Sequence, residues 1–376
     1  MALVIFVLMH LKNLKLLNFK NYAEVNVDFS SHINCFLGDN GGGKTNLLDA
    51  VFYLAFCKSF FNPIDSQIIK DNESMMVVTG EFEKDKQKEK IHFGLKKGQK
   101  KQLKRNKKIY DKLADHIGFI PLVMISPSDS LLILEGSEVR RKFLDLIISQ
   151  YNRNYLESLI QYNKALSQRN RLLKKFMELR QFDEASLEIW DDQLIKYGLP
   201  VHKARMEFIV EFMPLFQKHY NFISEKSEAV KLIYQSQLDG ENFEDLLKTQ
   251  REKDRRLTYS SAGIHKDDLI FEIGDKPLKK FGSQGQQKTY LLALKLAQAE
   301  YLKEIKNAAP ILLLDDIYDK LDENRIEKLM DVVQKDWFGQ VFITDTHLER
   351  LPTLFDQWKT NYKAFKITKG EISNVG

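Results

Sequence analysis

Apolar and polar positions alternate at Leu14 and Leu16 and again at Val25, Val27 and Phe29, so residues 11–29 read as two strands of a half-buried sheet. Ile33 to Leu37 is a short apolar run of the kind a buried strand shows, and Asn46-Leu47-Leu48-Asp49-Ala50-Val51-Phe52 then reads as a helix. Asn62-Pro63 is expected to stop that helix. Strands resume at Met75 to Phe82, and Ile91, Phe93, Leu95 and Leu103 keep strand alternation through a charged stretch, as hairpins with one buried face would. Phe119 to Ile125 is another apolar strand, and Gly136-Ser137-Glu138 looks like a helix entry with Ser137 as its cap. From there to about Lys218 apolar residues recur at helical spacing with no glycine before Gly198; Pro200 is expected to break the run and Pro214 to kink or end another helix. Val230 to Tyr234 and Leu269 to Ile273 return to strand period, Thr289 to Lys303 is helical, and Ile311 to Leu314 and Val341 to Thr344 are core strands. The pattern describes an α/β sheet domain interrupted by a helical hairpin or small bundle.

With 376 residues and 43% hydrophobic content, the chain holds enough core for two domains or one large interrupted one. Cys35 and Cys57 are the only cysteines, set among apolar neighbours, so neither a disulfide framework nor a zinc site is expected and a reducing cytosol is the default. Met1 to Leu8 is apolar but lacks a charged leader and a cleavage site and is too short to span a bilayer; residues before Met9 read as an extension or an over-long start. A net charge of +5 matters only where it is concentrated. Between Lys84 and Lys108, twelve basic residues face only Asp85 and Glu89. That stretch is either a nucleic-acid contact, carried by Lys96, Lys97, Lys100, Lys101, Lys104, Arg105, Lys107 and Lys108, or a solubilising sheet edge. Tyr151, Tyr155, Tyr162, Phe176 and Trp190 have two readings as well, base stacking or, more commonly on helices, packing.

Chemistry concentrates in three places. Gly38-Asp39-Asn40-Gly41-Gly42-Gly43-Lys44-Thr45, between the apolar run and the helix, is a complete G-x-x-x-x-G-K-[ST] phosphate loop. Its N–H groups and the following helix end converge on phosphates; Lys44 is expected at the β- and γ-phosphates and Thr45 at Mg²⁺, with Asn46 completing the ATP contacts. Lys20, in Asn18-Phe19-Lys20-Asn21-Tyr22, either touches the nucleotide or a nucleic-acid backbone or is a solvated turn lysine. Ile311-Leu312-Leu313-Leu314-Asp315-Asp316 reads as a Walker B strand, with Asp315 holding Mg²⁺ and Asp316 orienting or deprotonating the attacking water; Lys320-Leu321-Asp322 follows in a turn. His347, after Asp345-Thr346, either senses the γ-phosphate or is a surface histidine. Phe281-Gly282-Ser283-Gln284-Gly285-Gln286-Gln287-Lys288 opens a helix and offers an anion N–H groups and a hydroxyl.

These motifs together resemble the ATP-binding-cassette superfamily. About 240 residues separate Lys44 from Ser283, more than a compact transporter domain uses, which points to the SMC-like branch. Within it the chain resembles the RecF family over nearly its whole length, through Asn18 to Tyr22, the phosphate loop with Asn46 to Ala50, Arg140 to Asp145, Gly263-Ile264-His265-Lys266-Asp267-Asp268, Gly282 to Gln287 and Leu313 to Asp316. The resemblance implies an α/β, ABC/SMC-like P-loop ATPase head: a mixed sheet lobe from residues 1–135 and 253–376 and an inserted, mostly helical lobe from 136–252. It further implies an ATP-dependent homodimer in which Ser283, Gln284, Gly285 and Gln286 contact the ATP on the other copy, and slow, DNA-stimulated hydrolysis that releases the dimer. Binding to single-strand/double-strand junctions of gapped DNA, partnership with RecR and RecO, help in loading RecA, and a cytoplasmic, nucleoid-associated location belong to the same implication. Lys20 stands where the family usually has arginine, Ile264 and Lys266 where proline and arginine are common, Lys58-Ser59-Phe60-Phe61 where a more basic stretch is usual, and Asp316 where transporters have glutamate. Ser126-Pro127-Ser128-Asp129 takes the slot of the Q-loop glutamine, with Ser128 or Asp129 as substitutes near Mg²⁺. The alternatives are the energising subunit of a membrane transporter, against which the long insert argues, and a protein that uses ATP only to fold.

Overall fold

The alternating N-terminal stretch folds as an antiparallel pair, β1 (Met9–Phe19) and β2 (Tyr22–Asp28), whose buried face carries Leu11, Leu14, Leu16, Val25 and Val27. The computed structural model describes residues 9–225, 228–318, 321–334 and 337–375, so the apolar run Met1 to Leu8 and Lys320 lie outside the described residues. β3 (Ile33–Leu37) is buried throughout and leads through the phosphate loop into α1 (Lys44–Phe56). The helix stops well before Pro63, because Cys57 takes up a left-handed conformation (φ 56°) and its N–H bonds the Tyr53 carbonyl at 2.9 Å. β4 (Met75–Lys84), β5 (Gln87–Lys96), β6 (Gln102–Arg105) and β7 (Lys108–Ile109) extend the first pair into a six-stranded sheet of order β2-β1-β4-β5-β6-β7. Ile91, Phe93, Leu95 and Leu103 are buried, as the alternation requires. β8 (Leu122–Ile125) starts later than the apolar run suggested.

The chain then builds a second compact unit, Ser130–Gln287. Its elements are α2 (Leu131–Leu134), α3 (Ser137–Ile148), α4 (Arg153–Leu179), α5 (Glu184–Ser224), β9 (Val230–Gln235), α6 (Phe243–Leu257), β10 (Asp268–Ile273), β11 (Lys276–Pro277) and α7 (Leu278–Phe281). Gly136, not Ser137, occupies the cap of α3; the Ser137 hydroxyl instead accepts from Arg141 at 2.7 Å. Neither proline breaks α5, which runs unbroken through Pro200 and Pro214. Both prolines lie on its exposed side, where carbonyls deprived of an N–H partner meet water. Its buried stripe, Leu187, Asp191, Leu194, Gly198, Val201, Arg205, Phe208, Phe212 and Phe216, continues past both, so packing overrides the local penalty.

Residues 253–287 belong with this helical unit and not, as expected, with the sheet lobe. The reason is electrostatic and topological. Arg169 and Arg205 are almost fully buried and need carboxylates that this segment supplies. Arg169 pairs with Asp191 and Asp254, both at 2.6 Å, and Arg205 with Asp145 at 2.8 Å and Asp267 at 3.0 Å. Arg140 pairs with Asp268 at 2.7 Å, and β10 pairs antiparallel with β9. Tyr155 and Tyr162 are buried here, bonded to Asp145 and His265 respectively, which makes them packing residues.

The remaining elements, α8 (Gln284–Lys306), β12 (Ile311–Leu314), α9 (Glu323–Gln334), β13 (Val341–Asp345), α10 (Arg350–Gln357), β14 (Tyr362–Thr368) and β15 (Glu371–Asn374), return the chain to the first unit, Met1–Asp129 with Lys288–Gly376. They complete a second six-stranded sheet, β15-β14-β3-β13-β12-β8, parallel except for the β14–β15 hairpin. Phe29, Phe36, Phe342 and Phe365 interlock with ring centroids 4.9–5.9 Å apart on this sheet. The buried Gln340 amide links it to the antiparallel sheet, exchanging bonds with the Leu11 backbone and donating to the Ser30 carbonyl. β3 lies between β13 and β14 with β12 next beyond β13, so the phosphate loop and the loops bearing Asp315 and His347 leave one sheet at the same, carboxyl edge. The fold is a mixed α/β head with a helical insert, as the sequence pattern indicated.

Candidate nucleotide site

The phosphate loop is held by what surrounds it. At Gly38 the backbone has φ 142°, and a Cβ would stand 2.3 Å from the Ile367 carbonyl oxygen; at Gly43 φ is 119°, and a Cβ would stand 2.5 Å from Asn21 Nδ2. Asn21 donates to the Gly42 carbonyl at 3.2 Å and accepts from Asn46 at 2.7 Å, Tyr22 donates to the Gly43 carbonyl at 2.9 Å, and the Gly370 N–H reaches the Gly42 carbonyl at 3.0 Å. Asp39, Asn40 and Gly41 are exposed at the tip. The Lys44 ammonium lies inside the curl, donating to the Gly38 and Asp39 carbonyls at 2.6 and 3.0 Å. No side chain caps the N-terminus of α1, so that end of the helix is open to an anion, while the Asn46 N–H bonds the Gly43 carbonyl at 2.9 Å.

The Walker B carboxylate meets this loop directly. The Thr45 hydroxyl donates to Asp315 Oδ1 at 2.9 Å, Thr344 donates to the same oxygen at 3.1 Å, and the Asp316 N–H donates to Thr344 at 2.8 Å. Burial first, then the Asp316 charge, push the Asp315 carboxyl up to about 6, against the hydrogen bonds from Thr45 and Thr344. A buried carboxylate beside a hydroxyl suits Mg²⁺, which takes one or two protein oxygens and fills its shell with phosphate and water. Asp316 is turned into the left-handed region, φ 43°, which aims it differently from its neighbour.

After β13 the Asp345 carboxylate accepts from the His347 N–H at 3.0 Å, and Arg350 stands 3.6 Å away. The Arg350 guanidinium also lies 4.7 Å from the ring centroid of Tyr318, whose hydroxyl is pushed up to about 12, mainly by burial. One arginine thus joins the segment after β12 to the segment after β13. The His347 side chain is exposed on the turn.

In the helical unit Ser283 and Gln286 form a reciprocal cap at the start of α8: the Ser283 N–H reaches Gln286 Oε1 at 2.8 Å and the Gln286 N–H reaches Ser283 Oγ at 3.2 Å. Ser283 and Gln284 are exposed, Gly285 and Gln286 half-buried. The basic stretch does not form one patch. Lys96, Lys97 and Lys100 sit at one end of the hairpins, and Lys107 and Lys108 at the other, level with Lys90 and Ile91, a separation of about 17–20 Å along β5 at ~3.3 Å per residue. Lys101 is committed to the Cys57 carbonyl at 2.6 Å and to Asp65 at 2.8 Å, and Arg105 to Glu89 at 2.7 Å, so these two serve the fold; Lys104 is half-buried.

The RecF/RecN/SMC N terminal domain family matches residues 10–372. The DNA replication and repair protein RecF of Flavobacterium johnsoniae is 52% identical over 359 residues, covering 96% of this chain and all of that one. The RecF protein of Phocaeicola vulgatus is 51% identical over 367 residues, 97% of this chain and 98% of its own length. The chain belongs to the RecF family. Two solved structures of the recombination mediator protein RecF in the RecFOR pathway, RecF-ATP and RecF-ATPrS, match with TM-scores of 0.89 and 0.88 at 31% identity, over 99% and 98% of this chain and 99% of each of theirs. The Smc head domain of Pyrococcus furiosus shares the fold, with a TM-score of 0.55, 17% identity and coverage of 98% of this chain and 96% of that one.

Lys20 is not a solvated turn lysine. Its ammonium pairs at 2.6 Å with Asp49, fully buried on α1, and lies 5.5 Å from the Phe61 ring centroid. Asp129 does not stand free as a Q-loop substitute: Lys295 pairs with it at 2.6 Å and the Ser126 N–H donates to it at 2.8 Å, while Ser128 bonds Ser126. Residues not singled out as contacts hold this RecF-family site together: Asn21, Tyr22, Thr344, Asp345, Arg350 and Gly370. Asn21 and Tyr22 lie in the family stretch beside Lys20, and Thr344 and Asp345 lie three and two positions before His347, with Thr346 between, whereas Gly370 reaches the loop only because β14 pairs with β3.

Proposed function

We propose that this protein is an ATP-switched DNA-binding recombination mediator. Two copies bind two ATP molecules, each nucleotide held by Gly38 to Asn46 of one copy and covered by Ser283, Gln284, Gly285 and Gln286 of the other. The observation that carries this reading is the Thr45–Asp315 pair beside Lys44. It supplies a triphosphate site with a place for Mg²⁺, while Ser283 and Gln284 stand exposed in a different unit. Thr45 and Asp315 would hold Mg²⁺, which when bound neutralises phosphate charge. Lys44 neutralises the β- and γ-phosphates; Asp316 orients the attacking water or accepts its proton; His347, on the exposed turn anchored by Asp345, senses the γ-phosphate. Slow, DNA-stimulated hydrolysis lets the dimer part.

The solved RecF-ATP structure supports ATP as the ligand, and the family's role in DNA replication and repair supports gapped or junction DNA as the target. The RecFOR pathway named for those structures supports RecR and RecO as partners, and help in loading RecA extends the same reading. The exposed lysines at 96, 97, 100, 107 and 108 provide sequence-independent attraction to phosphodiesters. Among the described residues no helix is long and apolar enough to cross a membrane, and we place the protein in the cytoplasm, at the nucleoid. Size-exclusion chromatography of wild type and Ser283→Arg with ATP and Mg²⁺ tests the proposal. Wild type should elute as a dimer and the variant as a monomer that still binds ATP; a wild type that stays monomeric with saturating nucleotide and gapped DNA would overturn it.

A further inference from the structure

Phe281 is out of place for its chemistry. A phenylalanine is ordinarily buried, yet this residue is 54% exposed, two positions before Ser283, the serine that precedes α8. It is nevertheless held firmly. Leu278, three positions earlier, is fully buried, the Gly282 N–H bonds the Leu278 carbonyl at 2.9 Å, and the Lys279 ammonium bonds the Leu134 carbonyl at 2.6 Å, tying α7 to α2. After Gly282 comes the reciprocal cap between Ser283 and Gln286. Two cations attend the ring: Lys276 Nζ stands 5.6 Å and Lys280 Nζ 5.4 Å from its centroid. Leu134, 54% exposed, adds apolar surface on the neighbouring α2.

A fixed, solvent-facing aromatic ring flanked by two ammonium groups matches a ligand that is flat and apolar at one end and anionic at the other. Nucleotides have that character: the base stacks on the ring and the phosphates meet the cations. We propose that Phe281 is the stacking platform for the adenine of the ATP bound by a second copy of this chain, with Lys276 and Lys280 beside it. The inference rests on the two-copy reading above and adds to it a contact with the base. A nucleotide whose phosphates reach Ser283 has its base within range of a ring two positions before that serine. The platform then makes dimerisation depend on the base as well as on the triphosphate.

The test compares wild type, Phe281→Ala and Phe281→Trp by sizing and light scattering across a range of ATP, and separately across a range of inorganic tripolyphosphate, both with Mg²⁺. Phe281→Ala should raise the ATP concentration at half-dimerisation between about five- and a hundredfold, the scale of one base–aromatic stack. It should leave the tripolyphosphate response unchanged, and Phe281→Trp should restore the ATP response. An unchanged ATP midpoint in Phe281→Ala, with wild type dimerising normally, overturns this inference and leaves the two-copy reading standing. A variant that dimerises normally but binds single-stranded DNA more weakly also overturns it, because the base on the ring would then come from DNA. Failure of wild type to dimerise with ATP removes both.

Discussion

Lys20 offers the sharpest discrimination between a nucleotide contact and a structural ion pair. Asp49 is fully buried on α1; its carboxylate accepts from Ser59 Oγ at 2.6 Å and the Phe60 N–H at 2.7 Å and pairs with Lys20 Nζ at 2.6 Å. Replacing Lys20 with methionine keeps the length of the side chain and removes its charge, which leaves a buried anion with two neutral donors. Breaking a buried pair from one side costs about 3–5 kcal/mol. At about 2–4 °C per kcal/mol for a unit of this size, calorimetry should show the transition of the sheet unit lowered by roughly 6–20 °C. Lys20→Arg, which keeps the charge, should lose far less, and Lys20→Met with Asp49→Asn should recover part of the loss because no charge is left stranded. ATP binding by Lys20→Met, measured well below its transition, should stay close to wild type. A variant that melts like wild type but binds ATP tenfold more weakly would refute the argument and return Lys20 to the nucleotide.

The hydrolytic site and the buried histidines supply the other expectations. Asp316→Asn should keep ATP-induced dimerisation and lower turnover by about 10²–10⁴, the usual share of a positioned general base; turnover at the wild-type level would dismiss Asp316 from that role. Arg350→Leu removes a side chain that both faces Asp345 and lies over Tyr318, so turnover should fall by roughly ten- to a hundredfold with ATP affinity nearly unchanged; a loss of affinity alone would contradict the positioning role. Burial pushes His116 and His265 down to about 4, whereas an unfolded histidine takes up its proton near 6.5. The unfolded chain therefore binds more protons below pH 6.5, and stability present at neutral pH is lost as the pH falls toward 4, by about 1.4 kcal/mol per pH unit for each histidine. Urea midpoints between pH 7 and 5 should follow that slope, and His116→Gln should flatten it in the sheet unit; identical slopes would exclude this histidine as a cause.

Much of this architecture was legible along the chain because it is local. A strand, a glycine-rich turn and a helix at motif spacing are sufficient to specify a phosphate loop, and four aliphatics before two aspartates specify a Walker B strand, since backbone curl and burial on both faces follow from neighbours in sequence. The helical insert and the buried faces of the basic hairpins came from periodicity in the same way. What tertiary structure decided was the assignment of charge. Lysines and arginines look alike in sequence whether they meet a phosphate, water or a buried carboxylate, and only the fold brought Lys20 to Asp49, Lys101 to Asp65, Arg105 to Glu89 and Lys295 to Asp129. Distance also placed Asp254, Asp267 and Asp268 with the helical unit, because Arg169, Arg205 and Arg140 required partners there. Helix α5 ran through two prolines because its packed stripe, made with residues far away in sequence, outweighed a local rule. Short-range stereochemistry is written in consecutive residues, whereas the neutralisation of a buried charge depends on which distant side chain the folded backbone delivers.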